Sequence, residues 1–141
     1  MSIYEVPSER RYWVVRAEGG FYFDHFTKHG VIALGHINII NLPNSKEEDA
    51  PIEWGNLQNL FKARLDTAPE IKRGGLHLSQ VKSFLYEMKV GDWVMTVRSG
   101  AVCFGRIIGK PFVDKDPLVI IYDPERGPKI EMDMHLRRCV E

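Results

Sequence analysis

The sequence holds only two cysteines, Cys103 and Cys139, and no CxxC spacing. That scarcity signals neither a disulfide framework nor a zinc knuckle, and it fits a reduced, cytoplasmic setting. No apolar run comes near the ~20 residues that a membrane span needs, and Met1 to Arg11 lacks the apolar core of a signal segment. A soluble protein with no membrane partner is expected. An excess of either charge is also missing, because 19 basic residues balance 19 acidic ones. A neutral chain has no global field to gather a polyanion, so any nucleic-acid site must be a local patch. Repeats and low-complexity tracts are absent, and Gly19-Gly20 leads into an aromatic stretch without G-x-G-x-x-G or a P-loop lysine. Nucleotide hydrolysis has no support.

Other catalytic signatures are thin. Ser79-Gln80-Val81-Lys82 fits S-x-x-K, but the partner motifs are missing and Ser79 already suits a helix cap. His25 and His29 stand one helical turn apart, yet Phe26 holds the place of the glutamate in H-E-x-x-H and no third ligand follows. The expectation is a non-enzymatic chain with no metal and no cofactor.

What is present is a chain of 141 residues that fits one domain, long enough to bury a core. Residues 1–10 are expected to be extended or flexible. Arg11 to Ala17 alternates as a strand, and "FYFDHFTKH" follows at near-helical spacing with Gly30 as its C-cap. Val31 to Gly35 is a compact apolar second strand. Residues 41–55, polar and carrying Pro43 and Pro51, read as a loop. Asn56 then caps a helix bearing Leu57, Leu60, Phe61 and Leu65, and Ser79 caps another bearing Val81, Phe84, Leu85 and Met88, closed by Gly91. Period-two patterning takes over from Asp92 to Arg98, turns at Ser99-Gly100, and returns from Ala101 to Gly109; further strands are expected at Leu118 to Tyr122 and Lys129 to Arg138. The fold class is α+β with a curled antiparallel sheet and short flanking helices.

In that element order, "YWVVRAEGG", "VIALGHI" and "LSQVKSFLYEMKVGDWVMTVRSGAVCFGRIIG" resemble the PUA-like superfamily, nearest to the EVE and YTH domains. The likeness is greatest to the EVE-like amino-terminal modules of modification-dependent restriction enzymes, and it runs from about Arg11 to the end of the chain. It implies a β-barrel flanked by helices, residues 1–141 forming one such domain. It also implies a mouth that accepts a modified base flipped out of a strand, with DNA favoured and an RNA-binding module as the alternative, and a nuclease domain or subunit as partner; a domain whose pocket is repurposed for a protein or a small nucleotide ligand is the third reading.

By position, the resemblance places Arg16 and Glu18 at the polar end of the first strand, and Arg98 with Ser99 where EVE domains close a strand with His-Ser. Where related modules carry Trp after the second strand, this chain has His36, and Trp54 is a candidate replacement platform. Alternation puts Thr96 on the same face as Arg98, opposite Trp93, Met95 and Val97. Thr96, Arg98 and Ser99 then supply donors to a base edge, or Arg98 is a solvated strand end and Ser99 an ordinary turn residue. Tyr22 lines the mouth or joins the core. Trp13 and Trp93 read as core residues. For the nucleic-acid backbone, Lys72-Arg73 before Gly74-Gly75 forms the best basic loop, ahead of Arg106, Lys110, Arg137 and Arg138.

Overall fold

A computed structural model describes residues 11–16, 20, 22–68, 78–121 and 129–141. The expectations for residues 1–10, Glu18, Lys72 and Arg73 fall outside these residues, as does that for the side chain of His36.

The first strand, β1 (Tyr12–Val14), is shorter than its alternating pattern. It pairs in parallel with β3 (Trp93–Arg98), placing Tyr12 opposite Trp93 and Val14 opposite Met95. The antiparallel expectation fails here because the chain makes a long helical crossover between the two strands and returns in the same direction. Helix α1 (Phe23–His29) ends as expected: Gly30, at φ 63°, donates its N–H to Phe26 O. β2 (Val31–Leu34) is buried along most of its length, which explains why it reads as a continuous apolar run. A 3-10 turn, His36–Ile39, follows it.

Residues 41–53 form neither helix nor strand. Helix α2 (Trp54–Thr67) begins before the expected cap, so Asn56 is helical, Glu53 occupies the cap position, and Trp54 and Gly55 leave the loop. Burial of Leu57 and Phe61 anchors this helix from its first turn. Likewise Ser79 is the second residue of α3 (Leu78–Lys82) rather than its cap. α3 widens into π-type turns over Ser83–Glu87, closed by Met88 N–H donating to Ser83 O at 2.8 Å.

β3 and β4 (Ala101–Arg106) form the expected hairpin in full register, with Gly100 at φ 78° in the turn. Beyond it lie β5 (Phe112–Val113), β6 (Leu118–Ile121), β7 (Lys129–Met132) and β8 (Leu136–Cys139). The single strand expected from Lys129 to Arg138 is therefore two, in different sheets. The break falls at His135, whose N–H donates to Asn38 Oδ1 and whose carbonyl accepts from Asp114 N–H.

The described strands form three small sheets, ordered β1-β3-β4, β2-β8-β5 and β6-β7. An antiparallel bridge between Ile107 and Val140 joins the first two into one wall. Among the described residues the strands do not close into a ring. Inside the wall sit Ile32, Ile37, Leu57, Phe61, Val81, Phe84, Ile107 and Leu136. No helix among the described residues is long and apolar enough to cross a membrane.

Two basic residues expected on the surface are core. Arg137 and Arg138 are each 2% exposed, with Arg137 Nε donating to Met134 O and Arg138 Nη1 to Met88 O. β8 is paired along both edges, and the burial of Leu136, Arg137 and Arg138 in succession shows that both of its faces are covered; the guanidinium groups cap carbonyls of neighbouring segments.

Candidate functional site

Where β1 ends, a cavity of about 380 Å³ opens between that strand, the end of β2 and the start of α3. Trp13 forms one wall. Its indole Nε1 donates to Asp92 Oδ2 at 3.0 Å, and Asp92 also accepts from Lys89 N–H at 2.9 Å. Asp92 is buried, so these bonds fix the plane of the ring. The cavity floor is apolar, built from Val15, Leu34, Phe84 and Met88. Val15 N–H donates to Met95 O, which holds the strand in line just before exposed Arg16 reaches the lining.

The polar side comes from the helix. Ser79, Gln80 and Ser83 all line the cavity, and Ser79 and Ser83 share a face at a spacing of four. Ser83 Oγ donates to Glu87 Oε1 at 3.3 Å. The arrangement offers a planar aromatic wall, an apolar floor, and hydroxyl, amide and guanidinium groups around the rim. Such a site suits a flat ligand with a polar edge.

Of the residues singled out in the sequence, Arg16 lies in this cavity. His36 begins the 3-10 turn two positions beyond Leu34. Thr96 faces inward against α1, 6% exposed, and lines a smaller cavity of about 90 Å³ with Phe26 and Val140. Its Oγ1 has no hydrogen-bond partner among the described residues. Arg98 is held on α1: Nη1 lies 3.2 Å from Asp24 Oδ1, and the guanidinium sits 4.7 Å from the centre of the Phe23 ring. Ser99 is exposed in the hairpin turn. Tyr22 packs on the core and meets the His25 ring edge-on at 5.3 Å. Trp54 also packs on the core and meets Tyr86 edge-on at 5.8 Å. Burial, with Glu53 nearby, pushes the Tyr86 phenol above its ordinary pKa, and its hydroxyl donates to Ile52 O.

The structure thus brings Arg16 to a rim made largely by residues that the sequence reading passed over. Trp13 reads as core in the sequence and does pack against it, half-buried, while also bordering the cavity; Ser79 reads as a cap. A signal did exist, since Ser79, Gln80 and Ser83 interrupt an otherwise amphipathic pattern on the side next to Val81 and Phe84. Gly20, at φ 94°, packs so closely that a Cβ there would lie 2.7 Å from Val97 O and 3.0 Å from Arg98 Cα. Gly20 therefore lies against the end of β3.

No protein-family model matches the chain, nor does any curated protein or solved structure.

Proposed function

We propose that this chain is a non-enzymatic nucleic-acid reader of PUA-like architecture, nearest to EVE and YTH domains, whose cavity at the end of β1 receives a modified base flipped from a DNA strand. The carrying observation is that Trp13, Arg16, Ser79 and Gln80 converge on one cavity of about 380 Å³. That volume falls within the range of about 300–1,000 Å³ typical of small-ligand sites. A flipped base presents a π face and a hydrogen-bonding edge, and it needs both kinds of partner. Trp13 supplies the face, because its only N–H is already given to Asp92. Ser79, Gln80 and Arg16 supply the edge contacts. The wall joined at Ile107 and Val140 supports the PUA-like architecture. In this reading the domain directs a nuclease domain or subunit to modified DNA.

The test is a set of binding titrations with single-stranded and duplex oligonucleotides of one sequence, carrying different base modifications or none, with matched RNA. Binding should favour one modified DNA strand. Ser79→Ala with Gln80→Ala should narrow that preference, and Trp13→Leu should remove a stacking contact worth about 1–3 kcal/mol. Thermal melting checks that each variant folds. Preference for RNA would move the reading to an RNA module. If folded Arg16, Ser79 and Gln80 variants keep the full preference, the cavity is not the reader.

A further inference from the structure

Met88 also borders a second cavity, of about 340 Å³. Its walls are mostly aliphatic: Ile37, Leu42, Ile52, Leu85, Val113 and Leu136. One side is the irregular segment 41–53, and it is firmly held. Ser45 N–H donates to Val113 O while Val113 N–H donates to Ser45 Oγ, both at 2.9 Å. Lys115 adds two more bonds, from its N–H to Asn44 Oδ1 and from Nζ to Asn41 Oδ1. A long segment without regular structure, fixed as a cavity wall, is a common design for a binding loop.

The polar groups of this cavity are mainly cationic. Arg138 is 2% exposed; its Nε donates to Gly109 O, and its Nη1 donates to Phe84 O and Met88 O. Its Nη2 makes no hydrogen bond among the described residues, although the residue lines the cavity. Burial lowers the guanidinium pKa, while Asp92 and Glu47 offset part of that effect. Lys46 and Lys110 are exposed at the rim, and among the described residues neither ammonium pairs with a carboxylate. Asp49 is the one carboxylate in the lining, and its Oδ2 already accepts the Lys46 backbone N–H at 2.8 Å.

We infer that this cavity binds a small amphipathic anion, an aliphatic body bearing a single carboxylate. The aliphatic walls suit a flexible hydrocarbon chain better than a stacked ring. A carboxylate matches the unfilled Nη2 and the two rim lysines, whereas a neutral ligand leaves the lysine charges unanswered. This site is separate from the base cavity, and its test does not depend on nucleic acid.

Decanoate serves as the probe and decanamide as its neutral counterpart, titrated calorimetrically into the full chain, with methyl resonances recorded alongside. Decanoate should bind and shift the signals of Ile52 and Met88, and decanamide should bind less well. Lys46→Gln with Lys110→Gln should weaken decanoate about three- to tenfold and leave decanamide unchanged. Ile52→Trp, at a partly exposed position, should fill the cavity and abolish both. Melting curves confirm folding of each variant. Absence of binding overturns the inference. So does equal binding of the two probes, or binding that survives Ile52→Trp.

Discussion

Arg98 reaches from the end of β3 to Asp24 on α1, its Nη1 3.2 Å from one carboxylate oxygen and 3.3 Å from the other. The same guanidinium covers the Phe23 ring. This contact ties the hairpin to the first helix, so Arg98 has a structural occupation independent of any ligand.

Because the Arg98 side chain is 46% exposed, solvent screens much of the pair. Arg98→Ala should therefore cost no more than about 1 kcal/mol in urea unfolding. The cost should shrink as salt is added. A loss several times larger would mean that the contact orders more of the first helix than the ion pair alone.

Thr96 presents the opposite situation, a buried hydroxyl with no partner among the described residues. Thr96→Val keeps the shape and removes the unsatisfied group. It should be neutral or stabilising by up to about 1–2 kcal/mol, measured by thermal or denaturant unfolding. A destabilised but folded variant would show that the hydroxyl has a partner in solution.

Arg137 should be far less tolerant. It is buried, donates to Met134 O and Asp116 O, and lies 3.4 Å from Asp114 Oδ2. Arg137→Met leaves two carbonyls without their donor, while Asp114, 39% exposed, turns to solvent, so the expected loss is about 2–4 kcal/mol. If it binds nucleic acid more weakly, the defect should track unfolding and leave the salt dependence of the folded fraction unchanged.

Cys139 gives a pH-dependent prediction. Burial raises its thiol pKa first, and a hydrogen bond to Glu47 with that residue's charge raises it further. The native state thus holds the thiol proton more tightly than the unfolded chain does. The resulting stability is complete below the unfolded pKa, about 8.5, and is lost as pH rises through the higher native value. Cys139→Ser should flatten the alkaline fall in melting temperature. In a Cys103→Ser background, iodoacetamide should label native Cys139 more slowly than the urea-unfolded chain.

Much of the fold was legible wherever one local pattern decided the outcome. The β3–β4 hairpin follows from alternation around Ser99-Gly100, and α1 ends at Gly30 because a left-handed residue was needed there. Tertiary context decided the rest. Nothing local distinguishes a parallel from an antiparallel partner for Tyr12–Val14, since pairing depends on the path of the crossover. Leu136–Cys139 carries two arginines that look like solvated surface, yet packing on both faces of the strand buries both. The candidate site divides in the same way. Arg16 was accessible to reading as a polar strand end. Trp13 was hidden by its resemblance to any core tryptophan, because only the fold shows that it borders a cavity.

The parallel pairing of β1 also constrains how the chain reaches its native state. Asp92, which accepts the Arg11 N–H and anchors Trp13, stands 81 positions along the chain from Arg11. During synthesis, β1 emerges long before β3 exists to receive it. Tyr12 and Val14 must wait in an unpaired strand while helices and β2 form behind them. Closure of this large loop is an entropically costly step, so docking of the first strand belongs late in folding, and the interval before it is when the nascent chain is most prone to aggregate.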